Sequence, residues 1–389
     1  MGAKAIQLEP PPEGRVEVLF IAGEHSGDQH AALIAREMRE SHPDWRMSAC
    51  GGPALAAEGV QILHDLTKDS VVGLVEVLRH YGDFKRLFNG LLDWVEAYRP
   101  KAVVMVDYPG FNLRFAEALS RRGLSRKSGG PVVAYQYVSP QIWAWKAQRR
   151  FKMAKVLDEL GVIFPFELNC YKDTDLPVHF VGHPFAREDY MNPVRYDPEG
   201  PVLFLPGSRR QAVSRIFPVM MQTLQRYREN GGRRSFVCLY PEEGILSVLE
   251  EEMETGGFDP SLIELRPVSE GASASAVLTS SGTMSLNCAL AGIPGAIVYR
   301  AHPLTVWIGQ RLIKVDWLGI ANLVLGHELY PEYLQKEADP SVLANRLEAC
   351  IREPKMRETH AAGAMDLLDR LQGQSSGTVA QRVDHLTAL

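Results

Sequence analysis

Asp107 follows the apolar run Val103 to Val106 and immediately precedes Tyr108-Pro-Gly-Phe-Asn112. A carboxylate at the carboxyl end of a buried strand can take a proton from an attacking hydroxyl, and near neutral pH that work needs a pKa raised by burial. Leu205-Pro-Gly-Ser-Arg209 closes a second apolar run. There Gly207 lets the backbone approach a ligand, while Ser208 and Arg209 supply donors, the arginine as a planar fork suited to diphosphate oxygens. Thr279-Ser-Ser-Gly-Thr283 opens the helical stretch Met284 to Leu290. Ser281, Gly282 and Thr283 therefore present amides at a helix start, where hydrogen bonding and the dipole favour an anion. Gly23-Glu-His-Ser-Gly-Asp28 forms a tight turn after the run Val16 to Ile21, and Ser26 is its expected contact residue. Each group also has a structural reading: Asp107 as a helix cap, Pro-Gly-Ser-Arg as a plain strand-to-helix turn, and Ser-Gly-Thr as a cap with no ligand.

These residues need elements to hold them. Strand candidates alternate with helical patterns along the chain, the βαβ signature of a mainly parallel sheet covered on both faces. Val16 to Ile21, Ala102 to Val106, Val132 to Tyr137, Leu160 to Phe164 and His179 to Val181 are expected in one sheet, with a helix from Gln29 to about Arg39. After the polar, proline-bearing segment Arg187 to Pro201, the alternation resumes with Val202 to Leu205, Phe236 to Tyr240, Ala276 to Thr279 and Gly295 to Tyr299. The fold class expected is α/β, with two doubly wound, Rossmann-like domains facing a cleft: residues 15–187 and 198–340, then helices over 341–389 that pack back across the junction. Ligands of such sheets collect outside the carboxyl ends of the strands.

Composition narrows the function. A chain of 389 residues exceeds the size at which one core stops growing, and a net charge of -5 gives no electrostatic footprint for nucleic acid. The five cysteines are widely spaced, reading as buried small hydrophobes in a reducing cytosol, and no clustered ligands call for a metal. Residues 1–14, with Pro10-Pro11-Pro12, read as a disordered tail and not as a secretory signal. No run of 18 apolar residues occurs, so an ordinary membrane span is not expected. Gly-x-Gly-x-x-Gly, Gly-Lys-Ser/Thr and Gly-x-Ser-x-Gly patterns are absent, which removes the usual support for dinucleotide oxidoreductases, P-loop ATPases and serine hydrolases.

Tyr137-Val-Ser-Pro-Gln-Ile-Trp-Ala-Trp145 and Leu205-Pro-Gly-Ser-Arg209 resemble the signatures of the lipid A disaccharide synthase family, nucleotide-sugar-dependent glycosyltransferases, and the resemblance spans nearly the whole chain. It implies a GT-B fold and an inverting reaction. UDP-2,3-diacylglucosamine would be joined to 2,3-diacylglucosamine 1-phosphate, releasing UDP, with no cofactor and with cationic side chains and helix dipoles doing the electrostatic work. Asp107 is then the base. Ser208, Arg209, Ser281, Gly282, Thr283, Asn287, Asn322, Glu332 and Gln335 fall on the donor, and Ser26, Gly27, Asp28, Glu76 and Asn112 on the acceptor. The chain departs from the family pattern at Asn287 and Ala212, where glutamates are usual, at Gly110 in place of a second aspartate, and at Ala321 in place of proline. An amide at 287 can take one ribose hydroxyl but offers no charge.

The apolar stretch Val71 to Leu78, continued by Phe84, Leu87, Phe88, Leu91, Leu92 and Trp94, is read either as a surface for acyl chains and bilayer or as ordinary core helices. Lys146, Arg149, Arg150, Lys152 and Lys155 follow Trp143-Ala-Trp145 as a face suited to anionic lipid or simply to solvent. The implied location is the cytoplasm, peripherally on the inner membrane, and the oligomeric state is left open. Two alternatives stand beside the transferase: a UDP-sugar epimerase of the same fold, and a non-catalytic lipid or nucleotide-sugar binding homologue.

Overall fold

A computed structural model describes residues 6–70, 81–301, 315–373 and 375–388. The chain divides into two compact units, the first Met1–Pro184 with Gln374–Leu389, the second Phe185–Gly373.

The first unit holds a seven-stranded parallel sheet. In chain order its strands are β1 (Val18–Ala22), β2 (Met47–Gly51), β3 (Gln61–Asp65), β4 (Ala102–Val106), β5 (Val133–Tyr137), β6 (Glu159–Val162) and β7 (Val178–Phe180). Their spatial order is β3-β2-β1-β4-β5-β6-β7. The central strands are buried at every position, as a parallel sheet covered by helices on both faces demands. The order reverses between β1 and β4, so the crevice beyond their carboxyl ends is the topological switch point. Gly23 to Ser26 follow one of those strands and Asp107 the other.

The second unit repeats the plan. Its strands are β8 (Val194–Tyr196), β9 (Val202–Leu205), β10 (Phe236–Tyr240), β11 (Glu264–Pro267), β12 (Ala272–Ala274), β13 (Ala276–Thr279), β14 (Gly295–Tyr299) and β15 (Glu332–Leu334). Six form a parallel sheet of order β11-β10-β9-β13-β14-β15, and β8 pairs with β12 alone. Here the reversal lies between β9 and β13, whose following loops are Pro206 to Arg209 and Ser280 to Gly282.

Several elements differ from expectation. Residues 6–14 are placed, not disordered: the Trp94 indole donates to Glu9 O at 2.8 Å, Gln61 donates to Pro10 O at 2.9 Å, and Leu8 packs on the first core. A polar, proline-rich composition hides such docking because the partners lie far along the chain. The segment read as a linker contains β8. Strands β2, β3, β11 and β15 lack a β-branched apolar run, so periodicity does not reveal them. The terminal helix Val379–Ala388, among those expected to pack back across the junction, groups with the first unit. Of the stretch read as an acyl or bilayer surface, Val71 to Leu78 lies outside the described residues. In the helix Tyr81–Tyr98, Leu87, Leu91, Leu92 and Trp94 are core, and Phe84 and Phe88 meet Phe111 edge-on at 5.3 Å. Among the described residues no helix is long and apolar enough to cross a membrane. All five cysteines are free thiols and four are buried.

Candidate functional site

Asp107 sits one residue past β4 with φ +48°, and Tyr108 follows with φ +43°, so the chain makes a left-handed turn before the helix Pro109–Arg121. The Asp107 amide donates to Tyr137 O at 2.9 Å, and its carbonyl accepts from Asn112 Nδ2 at 2.7 Å and from Gln136 Nε2 at 3.0 Å. The backbone is thus held from both neighbouring elements. Burial pushes the carboxyl pKa up to about 6, with the charge of nearby Glu24 adding to the rise and the Tyr108 amide opposing it. Such a group is ionised at neutral pH yet basic enough to accept a proton.

The turn after β1 lies against this one. Gly23 must be glycine because a Cβ there would run into the Tyr108 ring. Helix His25–Ser41 begins at once, with Ser26 exposed on its first turn. Gly27 and Asp28, expected on the acceptor, are buried. The Asp28 carboxylate instead accepts from Gly52 N at 2.7 Å, Ala54 N at 2.8 Å and Leu55 N at 3.3 Å, capping the short helix Pro53–Ala57. Asn112, also expected on the acceptor, is fully buried and faces the Asp107 and Val106 carbonyls. Glu76 lies outside the described residues.

In the second unit, Pro206 to Arg209 connects β9 to the helix Arg210–Glu229, of which Arg209 is the N-cap. Gly207 has φ +119°, a conformation that favours glycine, and a Cβ there would lie 3.1 Å from Ser280 Oγ. Ser280 N donates to Leu205 O at 2.8 Å, which joins this loop to the turn before helix Thr283–Leu290. Ser208, Arg209 and Thr283 are exposed, and Ser281 and Gly282 half-buried. Two helix starts, one of a helix 20 residues long with the exposed Arg209 at its N-cap, therefore follow adjacent strands, an arrangement chemically able to receive an anion.

Four residues expected on the donor are turned inward. Asn287 is buried, its Oδ1 accepting from the Tyr190 hydroxyl at 2.8 Å. Asn322 is buried too; its amide donates to Tyr330 O at 2.8 Å and Glu332 Oε1 at 3.0 Å while its oxygen accepts from Leu329 N at 2.8 Å and Tyr330 N at 3.0 Å. The Glu332 carboxylate takes Leu318 N and Gly319 N, both at 2.8 Å, at the start of helix Ile320–Leu325. The Gln335 amide, oriented to suit its surroundings, pairs with Ala301 N at 3.0 Å and Ala301 O at 3.2 Å. Their polar atoms hold the loops around the sheet edge. Ala212 is half-buried and packs against the second core, and Gly110 is exposed.

Sequence reading missed Gln136, which looks like one polar interruption of a strand, and Tyr190, in a segment read as linker. It also missed Glu167, a buried acid in the turn Pro165–Tyr171 accepting from Phe164 N at 3.1 Å. Only Gln136 carried a signal, a polar residue in the middle of an otherwise apolar run.

Two doubly wound parallel sheets, each with a switch point, one followed by the buried Asp107 carboxyl and the other by two helix starts, make up a GT-B fold. Solved structures agree on the fold: a UDP-GlcNAc 2-epimerase from Neisseria meningitidis has a TM-score of 0.58 at 11% identity, covering 89% of this chain and 94% of its own. The calicheamicin glycosyltransferase CalG4 scores 0.54 at 14% identity, covering 96% and 98%. The family model for lipid-A-disaccharide synthetase matches residues 18–383. The lipid-A-disaccharide synthase of Geobacter sulfurreducens is 33% identical over 375 residues, 94% of this chain and 95% of the relative. That of Coxiella burnetii strain RSA 331 is 32% identical over 383 residues, 95% and 98%. The chain belongs to the lipid-A-disaccharide synthetase family and is a glycosyltransferase.

Proposed function

We propose that this enzyme transfers 2,3-diacylglucosamine from its UDP ester to the 6-hydroxyl of 2,3-diacylglucosamine 1-phosphate, with inversion. Asp107 accepts the proton of the 6-hydroxyl as its oxygen bonds to the anomeric carbon. The bond from that carbon to the diphosphate breaks, and the electron pair leaves on UDP. Arg209, Ser208 and the amides of Ser281, Gly282 and Thr283 bind the diphosphate and stabilise the charge it gains. Ser26 and the helix start behind it contact the acceptor. The observation that carries this reading is the desolvated Asp107 carboxyl, raised to about 6 at the switch point of the first sheet.

The membrane-facing part of the reading rests on Trp145 and Phe151, both large, apolar and exposed. Lys146 Nζ lies 4.2 Å from the Trp145 ring centre and the Arg149 guanidinium 5.5 Å from it. Arg150 and Lys152 are paired with Asp173 and Glu117, which leaves a smaller cationic face than the sequence suggests. We place the enzyme at the cytoplasmic surface of the inner membrane, touching it peripherally through this face.

Purified enzyme is given both diacylated substrates, and UDP release and disaccharide are followed by mass spectrometry. Asp107→Ala should lose turnover and keep the wild-type affinity for UDP. Undiminished turnover in that variant removes Asp107 as base, and a nucleotide-sugar product formed without acceptor replaces the transferase by an epimerase.

A further inference from the structure

Three non-glycine residues at the ends of the adjacent strands β4 and β5 have positive φ: Asp107 at +48°, Tyr108 at +43° and Val138 at +67°. A β-branched residue such as Val138 is a genuine outlier there, and strain of this kind persists only where the surroundings over-determine it. One buried side chain reaches both ends. Gln136 lies on β5 opposite Met105 and is fully buried. Its Nε2 sits 3.0 Å from Asp107 O, 3.1 Å from Tyr137 O and 3.2 Å from Val138 O.

Two of these carbonyls have a second partner. Tyr137 O also accepts from Asp107 N and Asp107 O from Asn112, whereas Val138 N donates to Gly161 O at 3.0 Å. A fully buried position on a central strand ordinarily takes an apolar residue, because an amide there must satisfy both its ends. Among the described residues Gln136 Oε1 meets no donor. The amide is therefore costly to the core, and what it accomplishes is to tie two left-handed turns together through their carbonyls.

We propose that Gln136 is a positioning residue that fixes the Asp107 carboxyl and the loop from Val138 to Trp145 as one rigid edge. The inference rests on the reading of Asp107 as the base. With the amide replaced by a hydrocarbon, three carbonyls lose a shared donor, the Asp107 turn relaxes, and water reaches a carboxyl that burial now keeps weakly acidic.

The test compares Gln136→Leu, Gln136→Glu and Asp107→Asn with wild type in steady-state turnover across pH, alongside thermal unfolding. In Gln136→Leu, kcat should fall roughly ten- to a hundredfold, the scale of a misplaced reacting group, while KM for the donor changes little. The acid limb of its pH–rate profile should move to lower pH as the carboxyl becomes better solvated, a change that loss of global stability alone does not produce. Gln136→Glu, which when protonated keeps one donor, should lie between the two. If Gln136→Leu does not fold, the same readouts on Gln136→Glu decide. Wild-type kcat with an unmoved acid limb in the folded variant, beside an inactive Asp107→Asn, overturns the positioning role and leaves the base intact. An active Asp107→Asn removes the base and this inference with it.

Discussion

Arg382 reaches back across 223 residues to make a two-pronged ion pair with Glu159, Nε to Oε1 and Nη2 to Oε2 both at 2.7 Å. Glu159 is almost wholly buried on β6, and Arg382 also donates to His179 Nε2 at 2.9 Å, which needs a neutral imidazole. Burial lowers the His179 pKa in keeping with this, opposed by Glu159 and assisted by Arg382. Removing one partner of a buried pair leaves an uncompensated charge, so Arg382→Ala should destabilise the first unit by about 3–5 kcal/mol in urea unfolding. Arg382→Met combined with Glu159→Leu should recover most of that loss, because the pair and not the contact area is at stake.

Asn322 uses both ends of its amide on backbone seven and eight residues away. Asn322→Ala strands Leu329 N, Tyr330 N and Tyr330 O in a buried turn. The expected cost is about 2–4 kcal/mol, seen as a lowered thermal midpoint. UDP affinity measured below that midpoint should be close to wild type, which separates a structural role from direct donor contact.

Glu167 has its pKa pushed up to about 8 by burial, against the opposing hydrogen bond from the Phe164 amide. An acid with a raised folded pKa binds its proton more tightly folded than unfolded. Stability is then fully present below the ordinary value of 4.5 and is lost as pH rises from there through about 8. The slope from this one group is up to roughly 1.4 kcal/mol per pH unit. Urea titrations between those pH values should show the decline in wild type and its reduction in Glu167→Gln. A parallel decline in both proteins assigns it to other groups.

Substitutions at Arg209 and Gly207 should affect UDP binding in different ways. Arg209→Ala removes a charged donor from an exposed site, and UDP binding should weaken by about 1.5–3 kcal/mol with unfolding unchanged. Arg209→Lys should recover little of that, since an ammonium lacks the two-pronged geometry. Gly207→Ala must adopt φ near +119° and displace Ser280 Oγ, so both UDP binding and stability should fall. Calorimetric titration with UDP checks all three.

The sequence by itself determined the α/β class, the doubly wound plan and the loops to which the chemistry is assigned as a proposal. Apolar runs of strand length, glycine turns and helix starts are local patterns, and the parallel βαβ plan places their loops at the carboxyl ends. It also marked Asp107, Ser26, Ser208, Arg209 and the Ser281-Gly282-Thr283 turn as residues able to meet a ligand, and the structure leaves Ser26, Ser208, Arg209 and Thr283 exposed. Tertiary structure alone decided which other polar residues of the same motifs turn inward. Asp28 faces a helix start 24 residues on, Asn287 a tyrosine 97 residues back, and Asn112, expected on the acceptor, the Asp107 carbonyl. It also put Gln136 beneath the Asp107 turn and joined the last helix to the first unit through Glu159. Whether a polar side chain faces solvent or satisfies a buried backbone group depends on what lies across the fold from it, and that distance in sequence is invisible to any local pattern.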